Sequence, residues 1–390
     1  SALAPAALML QAGEAHAAAN TRAQLAAVHS GSPAHQLLYK TDEFFIAHRG
    51  AGNISPEHTA YAYAESVRRG ALAVEISVRT TSDGQFVCMH DTNIKRTTGA
   101  SMDVRGHTLA ELRQYKVNMR KNLGEKTDLY DIPTLEEAIA AVDAVPAGGE
   151  YASVGGKKVV LFLEAKDGPA QAGLVKFITE RGLQRRTVIK MYRDGSGGFK
   201  PTSRYLKLAN SAGCATWCYF DGGDPIDKIS AMARHENVDA IGVPYYEKPT
   251  GVSQGSMSEE NVRALTGLGK AVIVWEIHRR SAYEKYKALG VKGFMCPDPY
   301  WVIGDPFDSS VKIKTGKRPH GMLPADPSVA ADMPDLTGTA IVHNQRYDES
   351  VLLGPLANYT TREKYTLDFS MKWTSAVPKQ DGCLLYTSDA

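Results

Sequence analysis

The chain has 390 residues, 43% of them hydrophobic and 23% charged, enough for one large core of roughly 200–250 residues plus something smaller. Its 45 basic and 43 acidic residues nearly cancel and no Lys/Arg block stands out, which argues against nucleic acid and against an anionic membrane surface. No stretch approaches the roughly 18 consecutive apolar residues of a membrane span, so no integral span is expected and a small charged ligand stays open.

The start, Ala2 to Leu10 followed by Glu14-Ala15-His16-Ala17-Ala18, reads as the end of a signal peptide's apolar region with an Ala-x-Ala cleavage site. The expectation is a partial signal peptide over 1–20 and an N-terminal linker over 21–42, both outside the fold, in a secreted or extracytoplasmic protein. Cys88, Cys214, Cys218, Cys296 and Cys383 show neither a metal-type doublet pair nor a dense disulfide pattern. They read as small buried hydrophobes, and no disulfide is expected.

Eight short apolar runs follow, at 44–47, 72–78, 159–164, 187–192, 214–220, 240–245, 271–277 and 293–296. Continuous apolar character suits parallel strands covered on both faces, and the strand-helix rhythm predicts a TIM (β/α)₈ barrel over 43–305. An open doubly wound sheet is the runner-up. Ser55-Pro56 reads as N-cap and first-turn proline of a helix over 60–69, closed by Gly70, and Thr134 with Glu137 as a capping box. The extra run Phe86-Val87-Cys88-Met89-His90, directly after Ser82-Asp83-Gly84, predicts a hairpin excursion after strand 2 that carries His90 over the barrel mouth.

After about Pro306 the rhythm changes. A Pro-, Gly-, Lys- and Asp-rich stretch predicts a linker over 306–338, and β-type segments at 340–342 and 365–371 predict a β-rich module over 339–390. That module falls short of the roughly 100 residues of a β-sandwich and is expected to be truncated. The closing run Cys383 to Ala390 resembles, in one frame, the translation of a common sequencing-library adapter, so residues 383–390 are expected to be an assembly artefact.

The chemistry-bearing residues cluster at the expected strand ends. His48-Arg49-Gly50 closes the first strand, at the face where TIM-barrel enzymes place catalytic groups. Pro56-Glu57-His58-Thr59 follows. Glu75 and Ser77 share one face of strand 2, Glu164 and Lys166 share one face at the end of the third barrel strand, and the hairpin delivers His90-Asp91. A phosphodiester needs its charge neutralised, its nucleophile deprotonated and its leaving oxygen protonated. Histidine, with an ordinary pKa of about 6.5, suits both proton roles, and carboxylates suit a hard cation such as Ca²⁺ or Mg²⁺.

Through His48-Arg49-Gly50, Pro56-Glu57-His58-Thr59, Glu75-Ile76-Ser77, Asp83-Gly84, His90-Asp91, Arg96-Thr97-Thr98, Ile132 to Glu137 and Glu164-Ala165-Lys166, the sequence resembles the glycerophosphodiester phosphodiesterase family. Val274-Trp275, Gly290 to Phe294 and Asp298-Pro299 extend the likeness over roughly residues 43–300. The resemblance implies a general acid/base pair in His48 and His90, divalent-metal ligands in Glu75 and Glu164, and phosphate-binding cations in Arg49 and Lys166. Its substrate would be a small-molecule glycerophosphodiester or lipid head group, released as glycerol 3-phosphate and an alcohol. The attacking group is water or the substrate's own 2-hydroxyl.

The chain also departs from the family's pattern. Ser77 stands where the resemblance leads one to expect an aspartate ligand; a hydroxyl binds Ca²⁺ or Mg²⁺ weakly, with Asp91, Glu57 or water left to complete the shell. Asp91 is expected to orient His90, and Trp275 to pack the barrel or wall the substrate. His58, His107 and His278 read as supporting or surface residues. Two other readings stay open: a phospholipase D-like enzyme on intact lipids, and a non-catalytic relative whose C-terminal segment binds glycan or cell wall.

Overall fold

The computed structural model describes residues 31–120, 127–146, 156–246, 255–278, 280–299 and 302. The expected signal peptide over 1–20, linker over 306–338 and β-rich module over 339–390 lie outside the described residues, as does Cys383. The other four cysteines are buried and unbridged.

Among the described residues nine strands form one sheet: β1 (Phe44–Ala47), β2 (Ala73–Thr80), β3 (Phe86–Cys88), β4 (Val160–Ala165), β5 (Thr187–Tyr192), β6 (Ala215–Tyr219), β7 (Ala240–Pro244), β8 (Ala271–Trp275) and β9 (Gly293–Cys296). All but β3 pair in parallel, in the order β1-β9-β8-β7-β6-β5-β4-β2, and β1 pairs back onto β2 at Ala47 and Val74. That last pairing closes an eight-stranded TIM barrel, the expected fold, and excludes the open sheet. All eight predicted runs are strands, with ends shifted by no more than two residues.

Because side chains alternate along a strand, each one contributes to two layers. Val74, Ile76 and Val78 point outward into the main core under the helices, with Leu161, Leu163 and Ile189. Phe44 and Ile46, Val160 and Phe162, Val188, Trp217, Ile273 and Met295 point inward and fill the lower half of the barrel. Trp217 is fully buried there, edge-on to Phe162. Two residues further along the same inward rows the character turns polar: His48, Glu75, Ser77, Glu164, Lys190 and Tyr219. An apolar plug below and a charged layer above is what a filled barrel interior permits only if every charge finds a partner.

The segment before the barrel differs from expectation. Residues Pro33–His35 form a helical turn capped by Ser32, continued by a π-helical turn over Gln36–Lys40. Ala34, Leu37 and Leu38 are buried and join the inner cluster at the strand N-termini, and Tyr39 donates a hydrogen bond of 2.7 Å to Asp239. So the end of the supposed linker closes the bottom of the barrel and belongs to the fold.

The helix over Ala60–Arg68 is capped by Thr59, whose hydroxyl accepts the Ala62 amide at 3.1 Å, and not by Ser55. Between the two, His58 takes a positive φ of 56°, which turns the chain before the helix can begin. Gly70, at φ +95°, closes this helix as expected, and Thr134 with Glu137 forms the expected capping box. Gly50 has φ +76°, and a Cβ there would lie 2.9 Å from that of Ala62. Gly50→Ala is therefore expected to cost about 1–3 kcal/mol, read as a lower urea midpoint; an unchanged midpoint would contradict the tight loop.

The hairpin is present: β3 runs antiparallel to β2, with Val78 opposite Cys88 and Thr80 opposite Phe86. The excursion beyond it has its own small core of Val87, Met89, Ile94, Val104, Leu112, Val117, Met119 and Ile132. Arg79 fixes it to the barrel by donating to the His90 carbonyl at 3.0 and 2.7 Å while pairing with Asp167 at 2.7 Å.

Candidate active site

Each of the two histidines is held through Nδ1 by a carboxylate. His48 is 5% exposed, and its Nδ1 lies 3.2 Å from Glu276 Oε2. Its Nε2 accepts the Arg49 Nε–H at 3.2 Å, which assigns the proton to Nδ1. His90 Nδ1 lies 2.8 Å from Asp91 Oδ1. A carboxylate on Nδ1 fixes ring orientation and tautomer and leaves Nε2 as the working nitrogen. Asp91 thus stands where an orienting partner is expected.

A chain of alternating charge joins the two rings. Asp91 Oδ2 accepts Arg96 Nε at 2.7 Å, and Arg96 grips Glu57 with two hydrogen bonds of 2.7 Å each. Glu57 in turn lies 3.4 Å from Arg49 Nη1, and Arg49 reaches His48. Burial alone would raise the Glu57 carboxyl, but Arg49 and Arg96 overrule it and hold it down at about 2. Burial likewise would raise Glu276, but His48 outweighs it and holds that carboxyl below its usual range.

On the other side of Glu75 sits a second cluster. Lys190, in β5, places its ammonium 3.1 Å from Glu75 Oε1 and 2.9 Å from Glu164 Oε2. Lys166 lies 3.1 Å from the same Glu164 oxygen, and Tyr219 donates to Oε1 at 2.6 Å. Ser77 donates to Glu75 Oε1 at 3.1 Å, and the Arg49 amide donates to Oε2 at 3.1 Å. Burial opposes both carboxylates' charge, yet Lys190 above all holds Glu75 well below its usual range, and Lys166 and Lys190 hold Glu164 at about 2. Burial also works against the Lys190 ammonium, but Glu164 and Glu75 raise its pKa above the ordinary lysine value. For Lys166 burial wins, and its pKa is lowered.

A cavity of about 580 Å³ opens over this end of the barrel, lined among others by His90, Asp91, Glu164, Lys166, Tyr192 and Tyr219. His48, Arg49 and Glu75 do not line it; Lys190 joins Glu75 to Glu164 on its wall, and the Arg49 amide and His48 lie against Glu75. Trp275 does not line it either, but packs edge-on against Tyr219 and Tyr246. The structure therefore brings His48, Arg49, Glu57, Glu75 and Ser77 together, and His90, Asp91, Glu164 and Lys166 together, with Lys190 and Arg96 as the links. Sequence reasoning missed Lys190, Tyr219 and Arg96, and it missed the hold of Glu276 on His48. Lys190 had a signal: a lysine two residues after inward Val188, in an otherwise apolar strand.

His58 is buried against Tyr63, whose hydroxyl lies 2.5 Å from its Nδ1, and its Nε2 has no hydrogen-bond partner. Burial lowers its pKa to about 3 and that of His90 to about 4. His278 is also buried, 3.6 Å from Glu276, whereas His107 is hydrogen-bonded on the excursion surface. The unfolded chain takes up protons below about pH 6.5 that folded His58 refuses until about pH 3, so stability should fall as pH drops through that window. Urea midpoints at about pH 7.5 and pH 5 are expected to differ, with His58→Gln flattening the difference; equal midpoints would contradict the buried neutral imidazole.

The donor set does not fit the divalent ion expected on Glu75, Ser77 and Glu164. Both oxygens of both carboxylates already accept hydrogen bonds or ion pairs, Ser77 acts as a donor, and an ammonium stands between the two carboxylates. Among the described residues no group of three His, Cys, Asp or Glu side chains is placed to hold an ion.

Residues 48–189, the stretch that carries both histidines with Arg49, Glu57, Glu75, Glu164 and Lys166, match the Glycerophosphoryl diester phosphodiesterase family. A glycerophosphodiester phosphodiesterase of Caldanaerobacter subterraneus is 25% identical over 264 residues, 66% of this chain and 95% of that protein. Human glycerophosphodiester phosphodiesterase 1 is 39% identical over 97 residues, 24% of this chain and 29% of that protein. Among solved structures, an Oleispira antarctica phosphodiesterase in complex with the product sn-glycerol-3-phosphate superposes with a TM-score of 0.52 at 19% identity, covering 67% of this chain and 95% of that one. A glycerophosphodiester phosphodiesterase from Agrobacterium tumefaciens superposes with a TM-score of 0.50 at 15% identity, covering 67% and 98%. Enzymes of this family are generally dependent on a divalent metal. The barrel, the order of its motifs and these likenesses agree, and over residues 48–189 the chain matches the glycerophosphodiester phosphodiesterase family.

Proposed function

We propose that this chain hydrolyses glycerophosphodiesters to glycerol 3-phosphate and an alcohol, with His48 and His90 as the proton-transfer pair. The observation that carries this reading is the matched hold on the two rings: each has Nδ1 on a carboxylate, which leaves Nε2 as the nitrogen for proton transfer, His48 beside Arg49 and His90 on the cavity wall with Lys166. A phosphate drawn to Arg49 and Lys166 places its ester oxygens between the imidazoles. Arg49 then gives up its hydrogen bond to His48 Nε2, leaving that nitrogen to take a proton. One ring deprotonates the nucleophile and the other protonates the leaving oxygen. The arginine and lysine oppose the charge that builds on the phosphoryl oxygens.

The divalent ion expected from the resemblance, Ca²⁺ or Mg²⁺, does not enter this reading, because the carboxylates that would hold it are engaged by Lys190, Lys166, Ser77 and Tyr219. A small polar substrate suits the cavity better than an intact lipid. Among the described residues the exposed large apolar side chains are Tyr61, Tyr115, Leu129 and Leu208, and none of them lines it. Export is part of the same reading and rests on the Ala-rich segment and Ala-x-Ala sequence near residues 15–17 alone. Phosphorus NMR of the purified protein with glycerophosphocholine, glycerophosphoglycerol, phosphatidylcholine and sphingomyelin tests the substrate class. Glycerol 3-phosphate from the first two alone is expected; turnover of the intact lipids alone would sink the reading.

A further inference from the structure

We infer that the Lys190 ammonium takes the place of a divalent cation in this barrel, so that the charged layer is complete without metal. The inference rests on the proposed function for its catalytic part and on geometry for its structural part. Lys190 lies between two buried carboxylates, 3.1 Å from Glu75 and 2.9 Å from Glu164, where any ion shared by both would have to sit. With Lys166 on Glu164, the four groups sum to zero charge. A dication entering here would meet two ammonium groups and would have to displace donors from every carboxylate oxygen: Lys190 and Ser77 from Glu75 Oε1, the Arg49 amide from Oε2, Tyr219 from Glu164 Oε1, and both lysines from Oε2.

The position is built to hold an ammonium. The Lys190 side chain is 7% exposed, and its Nζ lies 5.2 Å from the Tyr219 ring centroid and 5.6 Å from that of Trp217, faces that attract a cation. Its backbone sits mid-strand, paired with Trp217 of β6, so the side chain is delivered by a rigid element. Ser77 fits the same arrangement. A hydroxyl donates to Glu75, whereas a carboxylate at that position would add a third negative charge to a layer that already balances. Lys190 is thus a positioning residue: it fixes Glu75 and Glu164, and through them the Arg49 backbone and Lys166, in the geometry that faces the phosphate.

The test is direct ion binding to the whole protein, measured by calorimetry with Ca²⁺ and Mg²⁺ and by Tb³⁺ luminescence, beside glycerol 3-phosphate release before and after chelation. Wild type is expected to bind no ion at the barrel and to keep its activity in chelator. The Ser77→Asp/Lys190→Ala double variant is expected to gain one Ca²⁺ per chain, with a melting temperature that rises on adding the ion. One tightly bound divalent ion per wild-type chain, lost with Glu75→Gln, or activity abolished by chelator and restored by Ca²⁺, overturns the inference. If the double variant does not fold, the wild-type measurements decide alone. Absence of ion binding together with absence of any glycerol 3-phosphate release would leave Lys190 as the internal cation and remove the proposed function instead.

Discussion

Alanine at His48 or at His90 is expected to lower kcat for glycerophosphodiester hydrolysis by about 10²–10⁴-fold, the range that a positioned general acid or base supplies. Each substitution removes one of the two nitrogens that move protons, and each leaves its orienting carboxylate behind. Both sites lie at strand or hairpin ends above the apolar plug, so circular dichroism should stay close to wild type. The double variant should be little worse than either single one, because groups that act as one unit fail together. A loss below about tenfold at either position, in folded protein, would contradict the pair.

The second large effect concerns stability. Lys190→Met leaves Glu75 and Glu164 buried without the ammonium between them, and removing one partner of a buried ion pair typically costs about 3–5 kcal/mol. Glu75 is fully buried and Glu164 is 5% exposed, so solvent can do little to relieve them. Equilibrium urea unfolding at neutral pH should show this loss. Adding Glu75→Gln to the Lys190→Met chain should recover part of it, since the uncompensated charge is then removed. A Lys190→Met chain within about 1 kcal/mol of wild type would mean that the ammonium is solvated and the layer is not charge-balanced as described.

Much of the barrel was legible because its strands are short apolar runs at regular spacing, a signal that depends on nearest neighbours alone. The same holds for the hairpin, announced by Ser82-Asp83-Gly84, and for the capping box at Thr134. What was not legible depends on contacts far apart in the chain. Residues 33–40 carry no strand rhythm, and that Leu37 and Leu38 seal the barrel floor follows only once eight strand N-termini surround them. The helix start moved from Ser55 to Thr59 because His58 adopts a left-handed conformation, which a proline-based capping argument does not see.

The site divides in the same way. His48, Glu75, Glu164 and Lys166 could be placed on one rim from strand ends and i, i+2 spacing. Lys190 stands in an otherwise apolar run, where composition hides it, although its parity with Val188 points it inward. Glu276 was visible as a polar residue after Trp275, but its hold on His48 requires β8 and β1 to be neighbours across β9. Arg96 lies in the Arg96-Thr97-Thr98 motif, and its link between Asp91 and Glu57 exists only when the excursion folds back over the barrel.

The measurement that tests the central claim most directly is glycerol 3-phosphate release from glycerophosphocholine by the purified wild-type chain, followed with a coupled dehydrogenase. Steady turnover that is lost on replacing His48 or His90 is the predicted result. No release from folded protein, with or without added Ca²⁺ or Mg²⁺, would contradict it.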